Sequence, residues 1–111
     1  MIFTPTGLVD AAIIDVERHE DERGFLARTY CEGEFAEHGL DMPIVQSSTI
    51  YSPQRDTLRG LHFQEAPHRE AKLVRCTRGS IFVVIVDLRP ESPSWRGWLG
   101  AELTASNQRL V

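Results

Sequence analysis

Short strand-like segments separated by turn residues run along nearly the whole chain, and this spacing constrains the fold more than any other feature. Apolar and β-branched stretches lie between turns rich in proline, glycine and aspartate, a pattern typical of all-β domains. The predicted strands cover residues 11–16, 24–30, 44–51, 57–64, 69–76, 81–88, 95–104 and 108–111. About eight strands at such regular intervals predict an all-β sandwich or jelly roll.

Two segments refine this prediction. The uninterrupted apolar run at residues 81–86 favours a strand that is buried on both faces. Residues 31–38 form the one good helix candidate, since Glu32 and Glu34 lie early, His38 lies late and Gly39 follows. These charges agree with the helix dipole, so we expect one short helix there.

Length and composition narrow the classes of protein. A chain of 111 residues suits one domain, here residues 1–111, and its net charge of -4 argues against a nucleic-acid binder. The first residues show no export signal, and no apolar run is long enough to span a bilayer, so we expect a cytoplasmic protein without a membrane partner. Cys31 and Cys76 fit free thiols in a reducing compartment. Residues 109–111 read like the start of a strand, so we expect a β domain that is incomplete at its C-terminus or completed by a partner.

The densest cluster of chemically capable residues is RGLHFQ at residues 59–64. Strict strand alternation places His62 and Gln64 on one face and Arg59 on the other. If Arg59 and His62 share a site, the strand must bulge or twist, and Gly60 is the natural place for that. A histidine at the end of a loop beside a surface arginine is the simpler interpretation of the cluster alone.

A cupin-type metal site is the first alternative for this cluster. It needs two histidines spaced by one residue, with a carboxylate and a third histidine on neighbouring strands. Here Gln64 occupies the second histidine position, and Glu70 follows as the carboxylate. Glutamine is a poor ligand for first-row metals compared with imidazole, so we expect neither a metal nor another cofactor. A histidine without a metal fits acid–base work better.

Six sequence motifs occur in a fixed order along the chain. They are DERGF at residues 21–25, VQ at 45–46, TLRGLHFQ at 57–64, KLVRC at 72–76, VDLR at 86–89 and SPS at 92–94. Together they resemble the successive signatures of the dTDP-4-dehydrorhamnose 3,5-epimerase family. The resemblance implies a cupin-like jelly roll (a double-stranded β-helix) that binds no metal. It also implies a homodimer in which the early arginine motif contributes across the interface, and a substrate in which a 4-keto sugar is attached to a nucleoside diphosphate.

The resemblance also implies roles for individual residues. His62 would be the base that removes protons from C3 and C5, which the ketone at C4 acidifies. Lys72 would stabilise the enolate oxygen, and Arg23 and Arg59 would hold the diphosphate through charge-assisted bonds. The residues that would contact the sugar or the nucleotide base are Phe25, Gln46 and Ser48.

Four positions depart from the family pattern. Leu26 replaces an aromatic residue, Arg28 a glutamate and Ser48 an asparagine, so the identity of the sugar and nucleotide stays open. Val83 replaces an acidic residue within the apolar strand. The tyrosine acid and the aspartate that orients the histidine lie, in the family, beyond the position of the last residue here.

Three functions therefore remain open. The first is an epimerase fold that carries part of its active site, either as a fragment or completed by a partner. The second is a non-catalytic domain that binds sugar nucleotides, a cupin remnant. The third is a related keto-isomerase, which shares the fold but moves the carbonyl group.

Overall fold

The chain forms six strands and one helix in a computed structural model that describes residues 1–111. In chain order the elements are β1 (Ile2–Pro5), β2 (Ala12–Asp15), β3 (Arg18–Asp21), β4 (Gly24–Ala27), α1 (Glu32–Glu37), β5 (Ser80–Val86) and β6 (Trp98–Thr104). The strands pair as three antiparallel hairpins, β1 with β2, β3 with β4 and β5 with β6. A mainly β chain with a single short helix is therefore confirmed.

The predicted helix is confirmed and occupies Glu32–Glu37. Glu32 and Glu34 lie in its first turn, where the helix dipole favours negative charge. Gly39 follows the helix with a φ of 74°, a conformation that glycine adopts readily. Phe35 is buried and anchors the helix to β1 through an edge-to-face contact with Phe3, with ring centroids 5.2 Å apart.

The β5–β6 hairpin is the longest pair of strands, and it confirms two of the predicted segments. Its register pairs Ile81 with Leu103 and Val83 with Ala101. Alternate side chains of both strands enter the core, while Phe82 and Trp98 on the other face stay exposed. The prediction of a strand buried on both faces is wrong for this chain, since only one face is covered.

The predicted strands at residues 44–51, 57–64 and 69–76 are wrong. Residues 43–72 form no helix or strand, and every side chain in that range is exposed. The physical reason is that an extended segment becomes a strand only when its backbone groups bond to a neighbouring strand. This segment has no such neighbour within the chain. Just after this segment, Val74 exchanges backbone hydrogen bonds with Val111, and Arg75 forms an isolated bridge with Leu110.

Residues 108–111 were also predicted as a strand, but the structure gives only isolated bridges there. Leu110 exchanges backbone hydrogen bonds with Ile14, each 2.9 Å long, and also bridges to Arg75. Val111 exchanges backbone bonds with Val74 at 2.8 and 3.0 Å. The last two residues thus lie between β2 and residues 74–75 and join the first and last parts of the chain.

Two apolar clusters form the core. The sheet cluster is built on Cys76, Ala101, Leu103 and Val111, and Val83 packs against it. The helix cluster consists of Ile14, Phe35 and Leu110, with Met1, Phe3, Tyr30 and further partly buried residues around it.

Much of the molecule is nevertheless exposed. Its accessible surface is 8840 Å², whereas a folded monomer of 12.6 kDa is expected to expose about 6,200 Å². No helix has the length and apolar character that a membrane span requires.

Candidate active site

His62 lies in the exposed 43–72 segment, two residues after Gly60. Gly60 has a φ of 106°, which favours glycine. A Cβ at Gly60 would lie 3.2 Å from Cδ2 of His62 and 3.8 Å from its Nε2. The expected strand bulge is wrong because there is no strand, but Gly60 does allow the backbone to pass close to the imidazole.

Arg59 lies beside His62 along the chain and is held by a hydrogen bond. Its Nε donates to Oγ of Ser52 over 3.2 Å, across the turn at residues 54–56. The guanidinium is otherwise exposed, with its remaining N–H groups available to a ligand. Arg59 and His62 lie on the same exposed segment, and no hydrogen bond joins them.

Lys72 forms an ion pair with Glu70. Its Nζ lies 2.8 Å from Oε1 of Glu70, and the two side chains are 49% and 40% exposed. The pair lies at the end of the exposed segment, just before Leu73 and Val74 approach the core clusters. The sequence analysis considered Glu70 only for a metal site and did not predict its pairing with Lys72.

Arg23 and Phe25 lie at the tip of the β3–β4 hairpin. The guanidinium of Arg23 donates from Nη2 to Oδ2 of Asp21 over 2.6 Å, and its backbone N–H donates to Oδ1 over 2.8 Å. These bonds lower the pKa of Asp21 and raise that of Arg23. The Arg18 guanidinium covers the ring of Phe25, with 4.7 Å between its Cζ and the ring centroid.

The other predicted contact residues lie on the surface. Gln46 and Ser48 are exposed in the 43–72 segment and make no hydrogen bond within the chain. Leu26 is 75% exposed on β4. Arg28 donates from Nη1 to Oε1 of Glu34 over 2.6 Å, so its guanidinium ties the end of the β3–β4 hairpin to α1.

The structure thus places the candidate residues in two groups. His62, Arg59 and Lys72 belong to the exposed segment, and Arg23 and Phe25 belong to the β3–β4 hairpin. No hydrogen bond or ion pair connects the hairpin with residues 43–72.

The sequence reasoning missed the role of the buried carboxylate of Asp87. The Nε and Nη2 atoms of Arg89 each donate to Asp87 over 2.9 Å, and the hydroxyls of Ser92 and Ser94 each donate over 2.6 Å. Arg89 also donates to Oδ2 of Asp10 over 2.7 Å, which connects the β1–β2 turn to the β5–β6 connection. The VDLR and SPS motifs were the available signal, because they hold four of these five residues.

The hydrogen bonds to Asp87 shift the pKa values of both members of the Asp87–Arg89 ion pair. Arg89, and then Ser92 and Ser94, hold the pKa of the Asp87 carboxyl well below its usual range. Asp87, and then Asp10, raise the pKa of Arg89. With its oxygens saturated inside the loop, Asp87 organises structure and is not free for proton transfer.

No three histidine, cysteine, aspartate or glutamate side chains lie together in a group that could hold a metal ion. His62 and Gln64 are exposed on a segment without strand neighbours, so the chain brings no further donor to them.

A family model described as dTDP-4-dehydrorhamnose 3,5-epimerase matches residues 5–111. The chain belongs to the dTDP-4-dehydrorhamnose 3,5-epimerase family. One relative, the dTDP-4-dehydrorhamnose 3,5-epimerase of Methanothermobacter thermautotrophicus, is 45% identical over 108 residues, which cover 96% of this chain and 57% of the relative.

Solved structures of the family superpose closely. The epimerase of Bacillus anthracis, with TDP and PPi bound, gives a TM-score of 0.93 at 36% identity and covers 98% of this chain and 62% of its own. The Legionella pneumophila enzyme in complex with dTDP-4-keto-L-rhamnose gives a TM-score of 0.88 at 33% identity, covering 98% of this chain and 57% of its own. The cupin-like jelly-roll fold expected from the sequence is therefore confirmed.

The chain spans between 55% and 61% of the length of the first curated relatives it matches. The family and the fold rest on this match, whereas the roles of single residues remain predictions.

Proposed function

We propose that this protein epimerises a 4-keto-6-deoxy nucleoside-diphosphate sugar at C3 and C5, as dTDP-4-dehydrorhamnose 3,5-epimerases do. The observation that carries the proposal is the family match over residues 5–111, with the six motifs in order. The bound TDP and dTDP-4-keto-L-rhamnose in the two solved relatives support a dTDP-linked substrate. In this proposal the protein works in the cytoplasm.

The proposed mechanism begins with removal of a proton. The ketone at C4 acidifies the C–H bonds at C3 and C5, and the imidazole of His62 removes one of these protons. The electron pair moves to the C4 oxygen and forms an enolate. A proton from solvent then returns to the same carbon from the opposite face, which restores the ketone and inverts the centre, and the imidazolium of His62 releases its proton to solvent. The overall reaction transfers no electrons to or from the substrate.

Two kinds of cation would support these steps. Lys72 would donate from its ammonium to the enolate oxygen, where negative charge develops. Arg59 has N–H groups left after its bond to Ser52, and with Arg23 it would bind the diphosphate. Phe25, Gln46 and Ser48 would contact the nucleotide or sugar, and their exposed positions leave them open to a ligand.

We further propose a homodimer, because no hydrogen bond or ion pair within one copy of the chain joins the two groups of site residues. Large apolar side chains are also exposed. Leu58 at 92% and Ile50 at 74% lie on the 43–72 segment, and Phe82 at 68% lies on the uncovered face of β5. Patches of this kind mark surfaces that another protein surface covers. A homodimer could bring Arg23 of one subunit toward Arg59 and His62 of the other.

The test is exchange of substrate protons with solvent. The polypeptide expressed from its complete coding frame is incubated in D₂O with dTDP-4-keto-6-deoxyglucose, and deuterium at C3 and C5 is measured by NMR. We expect exchange at both carbons, its loss in His62→Asn, and unchanged binding of dTDP in that variant. His68→Asn, which alters an exposed histidine of the same segment, is the control and should exchange normally.

Each other outcome identifies a different function. Binding of dTDP without any exchange would favour a non-catalytic sugar-nucleotide binder. A product whose carbonyl has left C4 would favour a keto-isomerase. Full exchange by His62→Asn would show that another group is the base.

A further inference from the structure

Lys72 is the only lysine of the chain, and its ammonium lies against a carboxylate that no sequence motif singles out. Nζ of Lys72 and Oε1 of Glu70 are 2.8 Å apart, the length of a charge-assisted hydrogen bond. The two residues are separated by one position, so in extended backbone their side chains project to the same side. Glu70 is therefore close enough to direct this ammonium.

The nearby pair of Arg69 and Glu91 shows that proximity alone does not give such a contact. Its Nη1–Oε1 distance is 4.0 Å, and both side chains are more than 60% exposed, at 64% and 68%. The Lys72–Glu70 pair is shorter and more covered, at 49% and 40%. Of these two ion pairs, only Lys72–Glu70 has the distance of a hydrogen bond.

A half-exposed ion pair of this kind adds little to the stability of the fold, usually no more than about 1 kcal/mol. The main effect of the ion pair is on the orientation of the Lys72 ammonium. The carboxylate accepts a hydrogen bond from one of the three N–H groups of the ammonium, which leaves the other two for an acceptor. A charged amine donates hydrogen bonds but cannot remove a proton or attack a carbonyl.

We infer that Glu70 is a positioning residue that holds the ammonium of Lys72 in place and directs its free N–H groups toward an oxyanion. The pairing rests on the geometry alone, whereas its effect on catalysis rests on the proposed function. In the epimerase reaction, Glu70 then orients Lys72 toward the enolate oxygen, while His62 removes the proton.

The first experiment tests the pairing without using catalysis. Because Lys72 carries the only ε-amine, acylation by acetic anhydride at pH 8 can be followed by mass spectrometry of the single peptide that contains it. In Glu70→Gln we expect acylation up to roughly fivefold faster, which corresponds to the loss of an ion pair of about 1 kcal/mol. Glu91→Gln, the matched control, should leave the rate unchanged. An equal rate in wild type and Glu70→Gln would overturn the inference.

The second experiment tests whether Glu70 acts through Lys72. Solvent exchange of the 4-keto sugar is measured in Glu70→Gln, Lys72→Met and the double variant. We expect Glu70→Gln to lower kcat with little change in KM, and to cause no further loss when Lys72 is already Met. An equal loss from Glu70→Gln in both backgrounds would overturn the positioning role, because Glu70 would then act independently.

The two experiments separate the inference from the proposed function. If acylation accelerates in Glu70→Gln but the polypeptide shows no exchange, the pairing stands and the epimerase function fails. If exchange occurs and acylation does not change, the epimerase function stands and the role of Glu70 fails.

Discussion

Arg89 holds Asp87 through a two-point ion pair, in which Nε donates to Oδ1 and Nη2 donates to Oδ2, each over 2.9 Å. The Asp87 side chain is only 3% exposed, so its charge is compensated inside the protein. Because Arg89 also contacts Asp10 and the carbonyl of Val9, this pair joins the β1–β2 turn to the long β5–β6 hairpin.

Asp87→Asn should lower the melting temperature and make it fall less steeply as the pH is lowered. The pKa of Asp87 is held below its usual range, so the ionised group contributes stability above its ordinary pKa of about 3.9 and loses it as pH falls further. Wild type should therefore destabilise more steeply than Asp87→Asn below about pH 4. Melting curves between neutral and acid pH measure this difference.

The control for this prediction is Asp56→Asn. Asp56 is 88% exposed and lies 3.8 Å from Arg55, so its replacement should leave the melting temperature and its pH dependence unchanged. Parallel pH curves for wild type and Asp87→Asn would contradict the stabilising role of the ionised carboxylate.

Two glycine-to-alanine substitutions should have opposite effects on stability. A Cβ at Gly97 would lie 2.8 Å from the backbone oxygen of Ser94 and 3.0 Å from Cδ2 of Leu8, so Gly97→Ala should cost about 1–3 kcal/mol. Gly33 lies within α1 with no atom within 4 Å of its Cβ position. Gly33→Ala should therefore stabilise the chain by about 0.5–1 kcal/mol, because alanine loses less backbone entropy in a helix. Urea unfolding measures both, and a loss of stability in Gly33→Ala would refute the assigned helix.

The elements predicted correctly from the sequence are those with local signals. The helix at Glu32–Glu37 follows from the order of its charged residues and Gly39, and β5 and β6 follow from apolar runs that pair with each other. Short β1 and β3 were missed, because four residues of mixed polarity carry little periodicity.

Strands in the 43–72 segment could be proposed from the sequence, but their partners could not. A strand depends on hydrogen bonds to a neighbour, and the local sequence does not say where that neighbour lies. The candidate site shows the same limit. Motifs identified His62, Lys72 and Arg59, whereas the Glu70 contact and the Asp87 network depend on distances that only the structure gives.

Val83 stands where the family pattern has an acidic residue, and the effect of restoring a carboxylate there can be predicted from its surroundings. Val83 packs against the sheet cluster, whereas Val84 on the opposite face is 37% exposed. Val83→Asp would bring a carboxylate against apolar side chains and should cost about 1–3 kcal/mol. Val84→Asp, the matched control, should cost clearly less. Thermal unfolding of both variants checks this, and equal losses would show that the two faces of β5 are equally covered.

The last prediction concerns Arg23 and Arg59, which lie in separate parts of the chain. Each should bind the diphosphate, so Arg23→Ala and Arg59→Ala should each weaken dTDP binding roughly tenfold or more and reduce its dependence on salt. Isothermal titration at two salt concentrations measures both effects. Ser52→Ala, which removes only the partner of Arg59, should have a smaller effect.

Mixed dimers reveal whether the two arginines come from different subunits. If Arg23 serves the neighbouring site, a dimer of one Arg23→Ala subunit and one Arg59→Ala subunit has one intact site and one site lacking both guanidinium groups. After equal mixing and exchange of subunits, about one quarter of all sites should bind dTDP with wild-type affinity. If both arginines serve the site of their own subunit, mixing should restore no tight site. That result would leave the epimerase function standing and overturn the shared site of the proposed homodimer.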